Sequence, residues 1–256
     1  MLRREFIAGL GSTAAWSVVA RAQQAAVPVI GYLSVGRPDR QSPSLAGFGQ
    51  GLKEAGYVEG QNVAVEYRYA ENQYDRLPAL AADLVRRRVA VIVAGTTEPA
   101  LAAKAATTTI PIVFSTGADP VALGLVASLN RPGGNLTGTS IISVEMIAKR
   151  LELLAELLPT AKSVALLVNP SNAVTEAETK EMRIATSALG LRMEVLNAST
   201  RNEIEAAVTT AFPEHAGALV VAADPFLNSQ RDQLASLAAR HAVPAIYPYR
   251  EQATGL

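Results

Sequence analysis

The residues able to hold a small charged solute fall into two sets. Ser34, Thr96, Thr97, Ser115 and Thr116 lie at or just after the carboxyl ends of short β-branched runs in the first part of the chain. Asn169, Ser171, Asn172 and Asp224 occupy the same places in the second part. Hydroxyls and carboxamides, with the free first-turn amides of helices, are the groups that grip a carboxylate. Asp224, followed by Pro225, has two readings: an N-cap with proline at the first helical position, or a counter-charge for a ligand ammonium. Asp119-Pro120 carries the same cap signature. Tyr32, Phe114, Tyr247 and Tyr249 suit either core packing or the wall of a site for an apolar ligand part. As a set, hydroxyls, one carboxylate and aromatics fit an amino acid or a related small carboxylate, with Ser34, Thr96, Thr97, Ser115, Thr116, Asn169, Asn172, Asp224 and Tyr247 as the candidate contacts.

Other chemistries find little to work with. The 256 residues include no cysteine and only two histidines, His215 and His241. Thiolate metal sites, iron–sulfur clusters, cysteine nucleophiles and Ser-His-Asp triads therefore lack their parts, and no cofactor or metal is expected. Gly47-Phe-Gly-Gln-Gly51 mimics a dinucleotide glycine pattern but sits inside an apolar helical stripe, far from the first strand. Arg86-Arg87-Arg88 reads as a solvated helix end, and Glu176, Glu178 and Glu181 as an exposed helix face. Lys plus Arg number 23, as do Asp plus Glu, so there is no net field to hold nucleic acid.

These residues need elements to position them. Strands are predicted at Val29–Ser34, Asn62–Tyr69, Val89–Ala94, Ile110–Ser115 and Leu136–Ile141, then at Ser163–Val168, Leu191–Asn197, Ala218–Ala223 and Val243–Tyr247. The runs at 89–94 and 218–223 are continuously apolar, as in strands buried on both faces of a parallel sheet. Helical stripes lie between: Leu45, Phe48 and Leu52, closed by Gly56; Leu77, Leu80, Ala81 and Leu84; Leu151, Leu154, Leu157 and Leu158, stopped by Pro159. The two series match in order, with Ala90–Gly95 and Ile110–Phe114 answering Ala218–Ala223 and Val243–Tyr247. The expected architecture is α/β, two Rossmann-like lobes of parallel sheet joined near Thr139–Val144, with a ligand cleft at the carboxyl ends of the strands.

Ahead of the first strand, Met-Leu-Arg-Arg-Glu-Phe-Ile, a short apolar stretch from Ala8 to Ala20 and Ala20-Arg21-Ala22 form an export signal. Arg3-Arg4 followed by Phe6-Ile7 resembles the twin-arginine motif, and the apolar run is well short of the roughly 20 residues of a membrane span. Cleavage near Ala22 and a periplasmic location are expected.

The run Ile110-Pro-Ile-Val-Phe-Ser-Thr-Gly-Ala-Asp-Pro-Val121, then Leu125-Val126 and Arg131-Pro-Gly-Gly-Asn-Leu-Thr-Gly138, resembles the ABC transporter substrate-binding family typified by tryptophan- and tyrosine-binding lipoproteins. Ile30–Ser34, Gly51–Tyr57 and Asn169-Pro-Ser-Asn172 add to the likeness, which runs from about Val27 to the end. It implies a type I periplasmic-binding fold: an N-terminal lobe over 27–141, a C-terminal lobe over 142–245 and the start of a hinge return over 246–256, behind a signal at 1–22. It also implies a monomer that closes on a small solute and hands it to an ABC permease in the inner membrane, without catalysis. Family members are usually longer, and the chain ends at Gly255-Leu256, where a return strand to the first lobe is expected. The lipobox cysteine of the lipoprotein members is absent. A periplasmic sensor module and, less well supported, an α/β enzyme are the alternatives; no nucleophile elbow, metal cluster or phosphate loop favours the latter.

Overall fold

The computed structural model describes residues 27–38, 43–212 and 217–250. The export-signal residues, His215 and residues 251–256 of the expected hinge return lie outside the described residues.

Strands and helices alternate. The first half holds β1 (Val29–Ser34), α1 (Pro43–Glu54), β2 (Ala64–Tyr69), a 3₁₀ turn (Tyr74–Arg76), α2 (Leu77–Arg86), β3 (Val91–Ala94), α3 (Thr97–Ala106), β4 (Ile112–Thr116) and β5 (Leu136–Ser140). The second half holds α4 (Ser143–Leu157), β6 (Ser163–Val168), α5 (Thr175–Ala188), β7 (Arg192–Asn197), α6 (Arg201–Ala211), β8 (Leu219–Val221), α7 (Pro225–Ser229), α8 (Arg231–Arg240) and β9 (Ala245–Ile246). They form two sheets, ordered β2-β1-β3-β4-β5 and β7-β6-β8-β9, with every described pairing parallel. This is the doubly wound α/β arrangement in two lobes, with α4 crossing from one sheet to the other.

Local sequence explains the boundaries. Leu77, Ala81 and Leu84 fall on one face of α2 and bury against Ile92, Ile112 and Leu33 in the first core. Arg86 and Arg87 close that helix end, where cations oppose the helix dipole, and both pair with Asp83. Their hydrogen bonds, led by that of Arg68, hold the Asp83 carboxyl down to about 2. The arginine run is thus an ion-paired surface helix end. Gly56 ends α1 at φ 81°, with Tyr57 N–H returning to Leu52 C=O at 2.8 Å. Thr200 and Glu203 cap α6 reciprocally.

The second sheet has a core on each face. Leu167, Leu219, Ile204 and Leu234 pack on one side, and Leu166, Val220, Ile147 and Met182 on the other. Such two-sided burial is why 218–223 reads as an uninterrupted apolar run. The strand there ends at Val221 because the next residues bend toward the cleft: the Ala223 amide donates to the Glu178 carboxylate at 3.2 Å. Glu178 is only 1% exposed, which corrects its assignment to an exposed helix face; Glu176 does lie at the surface. Asp119 differs from expectation as well. Its Oδ1 accepts from Val121 N–H at 2.8 Å, but the chain beyond Pro120 forms a turn closed by Leu123 N–H on Asp119 C=O, not a helix. Gly124, at φ 66°, sits inside this turn and ends any helical continuation.

Candidate functional site

The carboxyl ends of both sheets face one narrow cavity of about 50 Å³. On the first side it is lined by Gly95–Glu98 after β3, Ser115–Gly117 at the end of β4, and Ile141 and Ser143 after β5. On the second side it meets Asn172 and Val174 after β6, Ala223 and Pro225 after β8, and Tyr249.

Five of the nine residues singled out from sequence line this cavity: Thr96, Thr97, Ser115, Thr116 and Asn172. The Thr97 and Thr116 hydroxyls share a hydrogen bond of 2.9 Å, and Thr116 is 1% exposed. Thr96 Oγ1 is buried beside the Glu98 carboxylate, which its hydroxyl favours in the charged form. Thr96 is also the N-cap residue of α3 and makes no side-chain cap; the Glu98 N–H in the first turn bonds that residue's own carboxylate. Gly117 belongs here for lack of room: a Cβ would run into the Ser143 hydroxyl, which itself donates to Gly117 C=O at 2.8 Å.

The other four lie outside the lining. Ser34 Oγ accepts from Gly36 N–H at 3.1 Å beside β1. Tyr247 packs against the second core, with its hydroxyl buried and unpartnered. Asn169 and Asp224 form a buried polar block below the cavity floor. Asp224 Oδ1 caps α7 through Leu227 N–H at 2.7 Å. Its Oδ2 accepts from Tyr74 Oη at 2.6 Å, Asn172 Nδ2 at 3.0 Å and Asn169 Nδ2 at 3.2 Å. Asn169 in turn orders the loop, its Oδ1 taking Ser171 N–H and the Ser199 hydroxyl. Of the aromatics, Tyr249 reaches the cavity, while Tyr32 packs at a tilt against Phe48 and Tyr67, and Phe114 lies in the first core.

Residues not singled out by sequence reasoning complete the site. Glu98, 7% exposed, lines the cavity, and its Oε1 accepts from Ala173 N–H of the opposite lobe at 3.0 Å. Burial pushes its carboxyl up to about 7 against hydrogen bonds from its own N–H, the Ala173 N–H and the Thr96 side chain, and the neighbouring Asp224 charge adds to the rise. Glu178 is also raised to about 7, by burial first, with Arg150 pulling it back. Burial raises Asp224 too, against the hydrogen bonds it receives. Arg150 is the buried cation of the region: Nη1 donates to Val221 C=O at 2.8 Å, and Nη2 has no partner. The position of Glu98 in the first turn of a helix beginning Thr-Thr-Glu-Pro was the one available signal. Tyr74 gave none, because its partner lies 150 residues away.

Tyr74–Asp224, Glu98–Ala173 and a longer Asn72–Ser229 contact at 3.5 Å all cross between the lobes. Chemically, the first lobe offers a helix N-terminus and a cluster of hydroxyls, groups that suit an anion. In the second lobe Asp224 caps α7 and Thr200 caps α6, while Asn172 Oδ1 accepts from Val174 N–H in the turn before α5, whose N-cap residue makes no side-chain cap. Among the described residues there is no group of acidic or imidazole side chains able to hold a metal, and no helix long and apolar enough to cross a membrane.

A family model described as ABC transporter substrate binding protein matches residues 37–253. A tyrosine-binding protein of Clostridioides difficile is 29% identical over 211 residues; the match takes in 80% of this chain and 60% of that relative's length. Among solved structures, an ABC domain in complex with L-Trp from Streptococcus pneumonia is 25% identical, with a TM-score of 0.74 over 87% of this chain and 74% of that one. A ligand-free, open substrate binding protein from Clostridium difficile is 28% identical, covering 86% of this chain and 74% of that one, yet its TM-score is 0.54.

Proposed function

Because the chain belongs to the ABC transporter substrate-binding protein family, we propose that it binds an amino acid or related small carboxylate between its lobes, outside the cytoplasm, for delivery to an ABC permease. The observation that carries this is the N-terminus of α3 meeting an interlobe cavity beside the Thr96, Thr97, Ser115 and Thr116 hydroxyls. A ligand carboxylate there accepts from the Thr97 N–H and the neighbouring hydroxyls, favoured by the helix dipole. Ile141, Val174 and Tyr249 wall the apolar part.

The mechanism is lobe closure, with no bond made or broken. A cavity of about 50 Å³ is far below the roughly 300–1,000 Å³ of ligand sites. Entry therefore requires the lobes to part. The better agreement with the L-Trp complex than with the open, ligand-free relative, at similar identity, supports reading the described arrangement as a closed one. The solute shifts the equilibrium toward closure only through contacts it makes with both lobes. The export signal at 1–22, a hinge return at 246–256 and a monomeric state are part of the same proposal.

A thermal-shift screen of the purified protein against amino acids, small carboxylates and aromatic acids tests it. A binder at a hundredfold excess over its dissociation constant stabilises the native state by about 2.7 kcal/mol. A cooperative melt unmoved by every amino acid and carboxylate contradicts the proposal.

A further inference from the structure

We propose that closure of the lobes takes up a proton at Glu98, so that the solute is held more tightly in an acidic medium and let go as the medium turns alkaline. The inference rests on the interlobe site and the lobe closure proposed above, and adds their regulation by pH. Glu98 belongs to the first lobe, in the first turn of α3, yet its Oε1 accepts from Ala173 N–H of the second lobe at 3.0 Å. It lines the cavity and is buried there, with Asn172, Val174 and Pro225 of the second lobe on the facing wall. Parting the lobes breaks the Ala173 bond and returns the carboxylate to water.

The groups that face Glu98 decide its protonation in the closed form. Its own N–H and the Thr96 hydroxyl, from α3, favour the charge, as does Ala173 N–H from the loop after β6. Against the charge stands the Asp224 carboxylate at the start of α7, to which the Tyr74 phenol of the 3₁₀ turn is bonded. Tyr249 lines the same cavity. Among the described residues Glu98 forms no ion pair. Lost hydration without a counter-ion outweighs the hydrogen bonds, and the closed carboxyl titrates near 7 against an ordinary 4.5. A closed form that binds a proton released by the open form is favoured fully below about 4.5, and that advantage is lost as pH rises through about 7. Glu178 lacks this coupling, because its partners, the Ala223 amide and Arg150, belong with it to the second lobe.

The test is calorimetric titration of L-tyrosine and L-tryptophan at pH 5.5 and pH 7.5, with small-angle scattering of the ligand-free protein at the same two values. The wild-type dissociation constant is expected to rise about tenfold between them, and the ligand-free radius of gyration to grow. Glu98→Gln removes the titrating group and keeps an oxygen for Ala173 N–H. Its constant is expected to stay within about twofold, and its radius to hold at the smaller value. Glu178→Gln is expected to keep the wild-type rise. A wild-type constant equal at both pH values overturns the proposal and leaves the ligand site standing. So does a Glu98→Gln variant that retains the rise, or a Glu178→Gln variant that loses it. If neither amino acid binds at either pH, the ligand reading fails and the scattering decides the proton linkage alone. A radius that grows with pH in wild type but not in Glu98→Gln then sustains the proposal, and any other result overturns it.

Discussion

Asp224 shows how completely a protein can occupy one of its own carboxylates. Its sequence context, after a strand and before Pro225, fits a cap and a ligand contact equally well. The structure fills it with a cap on one oxygen and three side-chain donors on the other. Tyr74→Phe removes the single donor that comes from the other lobe and leaves the rest in place. A hydrogen bond to a charged group contributes about 1.5–3 kcal/mol, and denaturant unfolding of this variant should show a loss of that size. Glu98 and Glu178 set the pH response. Both have native values near 7 against an ordinary 4.5. The folded protein therefore holds protons that the unfolded chain releases, and their contribution is full below about 4.5. Stability should fall as pH rises from about 4.5 to about 7 and level off above. Melting temperatures across that range, with Glu178→Gln flattening part of the slope, check the sign.

At the scale of elements, the site depends on which helix N-termini meet the cavity. Asp224 caps α7 and the Thr200–Glu203 box caps α6, whereas at the cavity the N-cap Thr96 of α3 makes no side-chain cap and Glu98 bonds its own N–H. Gly117→Ala tests how tightly the neighbouring walls are set. The added Cβ collides with Ser143 Oγ, so the hydroxyl must rotate and give up its bond to Gly117 C=O. The expected loss is about 1 kcal/mol of stability and weaker binding of whichever amino acid shifts the melt. Equal affinity would place the ligand away from the β4–α4 junction. The strands themselves were legible: β1 and β6 fall where β-branched runs and flanking polar residues put them, because local pattern and tertiary burial agree there. Two places were not. Asp119-Pro120 has the signature of a helix start but enters a turn that bends back at Gly124, and the burial of Glu178 depends on the Ala223 amide 45 residues away. Long-range partners of this kind leave no periodicity to read.

For the molecule as a whole, alternation of strand and helix and the likeness between its two halves made two parallel sheets readable from sequence. The cleft followed from strand polarity, and Thr96, Thr97, Ser115, Thr116 and Asn172 do line it. Which residues bridge it did not follow, since Tyr74–Asp224 and Glu98–Ala173 exist only once the lobes are placed against each other. A closed arrangement held partly by these bonds implies that loosening them opens the molecule. Tyr74→Phe should raise the ligand-free radius of gyration in small-angle scattering, and a saturating amino acid should reverse the change. The central claim, a solute carboxylate held by the hydroxyls at the first lobe's strand ends, is met most directly by calorimetric titration of L-tyrosine and L-tryptophan into wild type and Thr116→Val. The variant keeps the shape of a buried side chain and removes the hydroxyl that pairs with Thr97. The account predicts a dissociation constant raised about tenfold, or 1.4 kcal/mol, in a protein that still melts cooperatively; an unchanged constant would contradict it.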